Sequence, residues 1–171
     1  MAGFCAAMPM SGVMACLAPP PGPQHTQPPR QITEEALREA EVAHELPDPV
    51  KDRLAVAAHF GFGATMGAIY ALLPAKYLTR RPVSSGISFG LAVWTASYLG
   101  WLPAFGSRAA ATEDSPRRNA TMIAAHVVWG AALGYITGQL LANRDDFQSS
   151  KKAEIHNDDA PLAHEEAAVV S

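Results

Sequence analysis

AAHFGFGATMG (residues 57–67) and AAHVVWGAALG (residues 124–134) follow one template, A-A-H-x-x-x-G-A-x-x-G, and stand 67 residues apart. Each copy lies inside a run without Asp, Glu, Lys or Arg, over 54–75 and over 119–143. A histidine followed by glycine at four-residue spacing places both residues on one helix face. The repeat therefore predicts two similar apolar helices that pack closely through small residues and carry a histidine on the packed face.

Charge is segregated along the chain. Of the 171 residues, 49% are apolar and 17% are charged, whereas an ordinary soluble domain is about 25% charged. All Lys and Arg residues fall outside four apolar runs. Three of these runs reach the roughly 20 residues that a membrane-spanning helix needs, and the first is near the lower limit of about 17. We therefore predict an all-α integral membrane bundle of four transmembrane helices, made of two weakly repeated two-helix units.

The predicted segments cover the whole chain. In chain order they are a transmembrane helix at 1–18, a Pro-rich spacer with a short surface helix at 19–53, a transmembrane helix at 54–75, a basic linker at 76–82, a transmembrane helix at 83–105, a loop at 106–118, a transmembrane helix at 119–142 and a disordered polar tail at 143–171. The surface helix is expected from Glu34 to about Val42. Asp48 and Pro49 mark the entry to the second transmembrane helix, because proline suits the first helical position.

The first apolar run allows a second interpretation. Val-Met-Ala-Cys at 13–16 loosely resembles a lipoprotein cleavage site, so a cleaved or lipidated N-terminus is the alternative to a retained helix. A signal peptide has a basic start, whereas the first Lys or Arg is Arg30, and we expect the helix to be retained. Cys5 and Cys16 would be about 16 Å apart on one helix, too far for a disulfide.

Small residues at four-residue spacing recur on every predicted membrane helix. Little hydrophobic force acts between helices in lipid, so association depends on the close backbone approach that glycine permits and on interhelical hydrogen bonds. Helix packing is therefore assigned to Gly63, Gly67, Gly86, Gly90, Gly130, Gly134 and Gly138. Gly138 extends the last stripe beyond the repeat, which predicts contact with a second copy of the protein.

His59 and His126 occupy corresponding places in the repeat. One membrane helix separates their helices in the sequence, so both run in the same direction and the two rings are expected at similar depth in the bundle interior. In the structural interpretation, each ring bonds across helices to a carbonyl or a hydroxyl. The candidate hydroxyls are those of Ser84, Ser85, Ser88, Thr95 and Thr121.

Two other interpretations of the histidines stay open. The first is a pH-responsive pair, because histidine titrates near neutrality. The second is a cofactor site in which His59 and His126 hold a non-covalent haem b between their imidazoles. The chain would then be a redox membrane protein.

Several function classes lack their usual residues. No predicted membrane run holds Asp, Glu, Lys or Arg, which pumps and ion-coupled transporters keep in their pathways. No nucleophile–base–acid set, phosphate loop or complete zinc ligand set is visible. The net charge of −3 comes without a basic patch for nucleic acid. We predict a non-enzymatic protein without a metal, whose partners are the lipid bilayer and a second copy of the chain. A small channel or transporter for a neutral solute is a further alternative.

Three stretches carry a family resemblance: HFGFGATMGAIYALLP (59–74), GISFGLAVWTASYLGWLPAFG (86–106) and RNATMIAAHVVWGAALGYITG (118–138). With ELPDPV before them, they resemble the YagU-like family of small bacterial inner-membrane proteins, over roughly 32–138. Members of that family have a basic stretch before the first helix, whereas this sequence begins directly in apolar residues. The resemblance implies the bacterial inner membrane and a multi-helix fold, and it implies no reaction.

The expected role is envelope maintenance or stress tolerance, in a self-associating protein. Orientation follows weakly from charge, because the two sides of the predicted topology hold nearly equal numbers of Lys and Arg. The linker at 76–82 is basic and contains no acid. We therefore expect this linker and both termini in the cytoplasm.

Overall fold

The computed structural model of the chain describes residues 1–17, 33–34, 37–38, 46–101 and 116–169. Within these ranges the predicted all-α class is confirmed, and no strand occurs. The helices are α1 (Ala2–Leu17), α2 (Asp48–Ala71), α3 (Ala75–Thr79), α4 (Pro82–Thr95), its continuation as a π-helical segment (Ala96–Trp101), and α5 (Pro116–Val169).

Proline opens three of these helices. Pro49 and Pro82 stand in the first turns of α2 and α4, and α5 begins at Pro116. The missing N–H has no intrahelical partner at these positions, so proline fits there without loss. Of the expected surface helix, Glu34, Leu37 and Arg38 are described and are helical. The rest of it, with 18–32 and the loop at 102–115, lies outside the described residues.

Helix α5 continues well past the expected membrane span. The sequence predicts a disordered tail from 143, whereas the helix runs to Val169. No proline occurs between Pro116 and Pro161, and no glycine follows Gly138. Ala, Leu, Gln, Lys and Glu in this stretch favour helix, and a polar helix without an apolar stripe is left exposed, as residues 142–156 are. Contacts group Met1–Thr137 as one compact body, the bundle, and the chain from Gly138 as a second.

Two described helices are long and apolar enough to cross a membrane. They are α2 and the part of α5 over Pro116–His156, while α1 is a shorter apolar helix. This property rests on length and composition. The run from Pro82 to Trp101 is divided between α4 and the π-helical segment, and the expected end of that span at 105 lies beyond the described residues.

Helix α1 crosses α2 at a point where no side chain intervenes. A Cβ on Gly3 would contact the carbonyl oxygen of Gly63 and lie 2.8 Å from Cα of Gly67. Real Cβ atoms do not approach backbone so closely, so the two helices touch because all three residues are glycine. Ala7 of α1 packs against Gly63, 3.5 Å from where its Cβ would be. Contacts therefore move backward along α2 as they advance along α1, and this first helix pair is antiparallel.

Helix α4 crosses α5 in the same way. A Cβ on Gly86 would contact the carbonyl oxygen of Gly130 and lie 2.8 Å from the amide nitrogen of Gly134. One turn further along α4, a Cβ on Gly90 would contact the carbonyl oxygen of His126. This second helix pair is also antiparallel.

The two crossings share one register. Gly130 and Gly134 stand 67 residues after the two glycines of α2 that meet Gly3. Gly86 therefore occupies in the second pair the place that Gly3 occupies in the first. The repeat seen in the sequence of α2 and α5 thus extends to the partners of these helices, α1 and α4.

Helices α2 and α5 lie beside each other. A Cβ on Gly63 would be 3.6 Å from Nε1 of Trp129, and one on Gly67 would be 3.4 Å from Cδ1 of Leu133. These contacts advance along both helices together, so α2 and α5 are parallel. Leu133 is fully buried and Trp129 is 3% exposed. Trp129 also donates its indole N–H to the Gly3 carbonyl oxygen at 3.3 Å, which connects α5 to α1.

Tyr70 connects α2 to α4, and its hydroxyl is expected to contribute to stability. The residue is fully buried, and the hydroxyl lies 3.1 Å from Ser85 Oγ and 3.3 Å from the Pro82 carbonyl oxygen. Tyr70→Phe should lower the free energy of unfolding by about 1 kcal/mol, because the acceptors lose their donor. Tyr135→Phe, at a residue that is 57% exposed, is the control and should have no effect. Thermal unfolding in mild detergent would measure the loss of stability. Equal melting temperatures for the two variants would contradict the expectation.

Candidate functional site

His59 is half-buried on α2 and faces α1. Its Nε2 lies 3.3 Å from Ser11 Oγ, and the Ser11 hydroxyl donates to the Ala7 carbonyl oxygen at 2.9 Å. Because that hydroxyl proton is already donated, Ser11 is expected to accept the N–H of His59. The neutral ring should therefore carry its proton on Nε2. Its Nδ1 lone pair has no hydrogen-bond partner among the described residues.

His126 is buried on α5 and is satisfied within its own helix. Its Nδ1 lies 2.8 Å from the Met122 carbonyl oxygen. A carbonyl only accepts, so Nδ1 carries the proton and Nε2 keeps the lone pair. The ring of Tyr98, on the π-helical segment, stands edge-on to the imidazole at 6.5 Å between centroids. Tyr98 in turn stacks on Trp94 at 6.1 Å.

The two histidines differ because the second helix pair lacks the hydroxyl that His59 uses. The register that aligns Gly3 with Gly86 aligns Ser11 with Trp94. An indole has no acceptor, so His126 bonds to its own backbone. The Trp94 Nε1 is buried and has no hydrogen-bond partner among the described residues.

Opposite tautomers are therefore expected for the two histidines. In histidine-labelled protein at neutral pH, nitrogen-15 correlation spectra should show the proton of His59 on Nε2 and that of His126 on Nδ1. Ser11→Ala removes the acceptor of His59 and should change only the His59 signals. The same tautomer at both positions would contradict the hydrogen bonds described above.

None of the five hydroxyls proposed from sequence makes a described hydrogen bond to a histidine. Ser85 bonds to Tyr70, while Thr95 and Thr121 donate to carbonyls four residues earlier in their own helices. Ser11 was missed as a partner. It lies on the four-residue stripe of small residues in α1, and that stripe was the available signal, because a stripe that packs brings its hydroxyl to the facing helix.

The seven glycines assigned to packing fall into two groups. Gly138 is half-buried and begins the C-terminal segment. The six at the crossings of the two helix pairs are Gly63, Gly67, Gly86, Gly90, Gly130 and Gly134.

A cavity of about 40 Å³ lies beside His59, where α1, α2, α4 and α5 meet. Its lining consists of Ala7, Met10, His59, Phe62, Gly63, Val93 and Trp129. One water needs about 10–15 Å³, whereas sites for drug-sized ligands measure about 300–1,000 Å³. The cavity therefore suits an ion or a few waters. This cavity is too small for a haem, and His126 is not among the residues that line it.

The described surroundings of the cavity hold no cluster of His, Cys, Asp or Glu side chains. Among the described residues, no group of three or more His, Cys, Asp or Glu side chains is placed to hold a metal ion. Cys5 and Cys16 are exposed on α1 and do not line the cavity. Any chemistry at this place therefore depends on the imidazole, thioether and indole groups already described.

Comparison with known proteins identifies the family of the chain. No curated protein and no solved structure matches the chain. A family model described as "protein of unknown function", DUF1440, matches residues 5–134. The matched residues include both histidines, all of α2 and α4, α1 from Cys5 onward and α5 up to Gly134. The chain therefore belongs to the DUF1440 family.

Proposed function

We propose that this chain is a non-enzymatic, multi-pass protein of the bacterial inner membrane, with four helices crossing the bilayer. The main observation that supports this proposal is that α1 crosses α2, and α4 crosses α5, by direct contact between glycine backbones. Close approach of this kind is the main source of helix association in lipid, where apolar side chains gain little by leaving their surroundings.

The dimensions of the helices support four spans. The run from Pro82 to Trp101 is about 30 Å long at 1.5 Å per residue, which matches the hydrocarbon core. Helix α1 (Ala2–Leu17) covers about 24 Å, a mismatch that local thinning of the bilayer accommodates. Large apolar side chains stand exposed on the helices that would face lipid, among them Phe4, Val56, Ile69 and Leu99.

The proposed role is envelope maintenance or stress tolerance, in a protein that associates with a second copy of itself. The resemblance to the YagU-like family supports the compartment. The stripe that continues through Gly138 supports self-association, since glycine at four-residue spacing on a membrane helix provides a close-packing face.

Location and orientation can be tested by labelling single cysteines in a Cys5→Ser/Cys16→Ser background. In intact spheroplasts, an impermeant maleimide should label Arg30→Cys in the spacer. It should label Tyr77→Cys and Phe147→Cys only after permeabilisation. The inverted pattern would overturn the orientation, and release of the protein from membranes by alkaline carbonate would overturn membrane integration.

The role can be tested in a deletion strain. Survival under membrane-active or acid stress should fall, and the wild-type chain should restore it. Gly61→Ala, which adds a methyl where no atom lies within 4 Å, should restore survival equally. Gly86→Ala should not, because its methyl meets backbone of α5. Equal rescue by both variants, at equal protein level, would contradict a role that depends on the packed bundle.

A further inference from the structure

The cavity beside His59 lies between corresponding residues of the two helix pairs. The register of the glycine crossings aligns Met10 of α1 with Val93 of α4. The 67-residue repeat aligns Phe62 of α2 with Trp129 of α5. All four residues line the cavity, so an approximate internal two-fold axis relating the pairs passes through it.

The two pairs contribute different chemistry at these equivalent positions. Met10 brings a thioether where the second pair has only Val93, and Trp129 brings an indole where the first has Phe62. An imidazole reaches the cavity from the first pair alone. A thioether side chain, an imidazole and an indole therefore line a space whose other lining residues are apolar.

His59 is held as metal-binding histidines usually are. Such a histidine donates the N–H of the nitrogen that does not bind metal to an oxygen, which fixes the tautomer and the ring orientation. In the tautomer expected above, Nε2–H donates to Ser11 Oγ, and that hydroxyl donates to the Ala7 carbonyl oxygen. The arrangement leaves Nδ1 with its lone pair and without a described hydrogen bond. The indole N–H of Trp129 is donated to Gly3, so its contribution to the cavity is the ring.

The nature of the donors selects the ion. Mg²⁺ and Ca²⁺ require oxygen ligands, and no carboxylate or amide side chain lines this cavity. Zn²⁺ in structural sites takes four ligands, mostly thiolate and imidazole. Thioether and imidazole suit Cu(I), which accepts few ligands, and an aromatic ring attracts a cation placed over its face. A single positive charge also costs less to bury than a double one.

We propose that the cavity binds one Cu(I) ion, with the Met10 sulfur and His59 Nδ1 as ligands and the Trp129 ring as a cation–π contact. The site depends on the packing of the four helices and not on the physiological role proposed above. Copper binding and stress survival can therefore fail independently.

The test uses full-length protein in mild detergent, under anaerobic conditions, with Cu(I) supplied in competition with bicinchoninate. Cys5 and Cys16 are exposed and are replaced by serine, because thiolates also bind Cu(I). One ion per chain should bind. Met10→Leu, which nearly conserves volume, should weaken binding at least tenfold. X-ray absorption should show a sulfur and a nitrogen neighbour, with the sulfur lost in Met10→Leu.

Met14→Leu is the matched control. Met14 is buried one turn further along the same helix but does not line the cavity, so its replacement should change affinity less than twofold. Thermal unfolding confirms that both variants fold. Failure to compete with bicinchoninate would overturn the proposal. Equal weakening by Met10→Leu and Met14→Leu, or an unchanged affinity in Met10→Leu, would overturn it as well.

Discussion

Gly86→Ala is expected to separate α4 from α5 and to lower the free energy of unfolding by about 2 kcal/mol. The added methyl would contact the carbonyl oxygen of Gly130 and lie 2.8 Å from the amide nitrogen of Gly134. Both are backbone atoms and cannot rotate away as a side chain can. Overpacking costs roughly 1–3 kcal/mol, and a clash with backbone belongs at the upper end. The higher helix propensity of alanine offsets about 1 kcal/mol.

Gly61→Ala is the control that separates the steric clash from the change in helix propensity. No atom lies within 4 Å of the place where the Gly61 Cβ would stand, so only the propensity gain of about 1 kcal/mol acts there. Unfolding in mild detergent, followed by circular dichroism, should move the two variants in opposite directions. If both melt at the same temperature, the glycine contact between α4 and α5 is not formed.

Trp129→Ala is expected to destabilise the protein more, lowering the free energy of unfolding by about 3–5 kcal/mol. The indole is 3% exposed, donates to the Gly3 carbonyl oxygen at 3.3 Å and lies 6.2 Å from the Phe89 ring. It also lines the existing cavity of about 40 Å³, which the truncation would enlarge. In lipid the loss of packing contacts remains even though transfer from water contributes little.

Conservative replacements separate the ring of Trp129 from its N–H. Trp129→Phe loses the hydrogen bond to Gly3 and should cost about 1 kcal/mol beyond its loss of volume. Trp94→Phe is the matched control, because the Trp94 Nε1 is buried without a partner among the described residues. Removal of an unpaired buried donor should offset part of the lost volume. A larger cost for Trp94→Phe than for Trp129→Phe in thermal unfolding would contradict this assignment.

Periodicity in the sequence was sufficient for the helical class and for the alignment of α2 with α5. The 67-residue repeat pairs Gly63 with Gly130, and the structure gives both the same kind of neighbour. The match between α1 and α4 was not predictable in this way. Gly3 and Gly86 are identical, but Ser11 corresponds to Trp94. Tertiary packing decides which small-residue stripes pair with each other. A single matched glycine does not specify that pairing.

The histidine partners and the cavity were also beyond prediction. Whether His59 reaches Ser11 depends on how α1 crosses α2, and the free volume beside it is what remains after large side chains have packed. The length of α5 was not predicted for a different reason. Residues 143–156 are polar and lack periodicity, which indicates exposure to solvent. A solvent-exposed helix without glycine or proline and a disordered segment can have the same composition, so composition did not distinguish them.

The approximate two-fold axis through the bundle has a consequence for what such a chain can evolve. A homodimer of identical two-helix subunits must present the same side chain on both sides of its axis, so a central site would contain residues in matched pairs. Here both halves belong to one polypeptide, and each can mutate alone. Met10 can then occupy the position that corresponds to Val93. Trp129 can likewise occupy the position that corresponds to Phe62, at the same cavity. Fusion of the halves removes the symmetry constraint where the four helices converge, and an asymmetric centre becomes accessible by single substitutions.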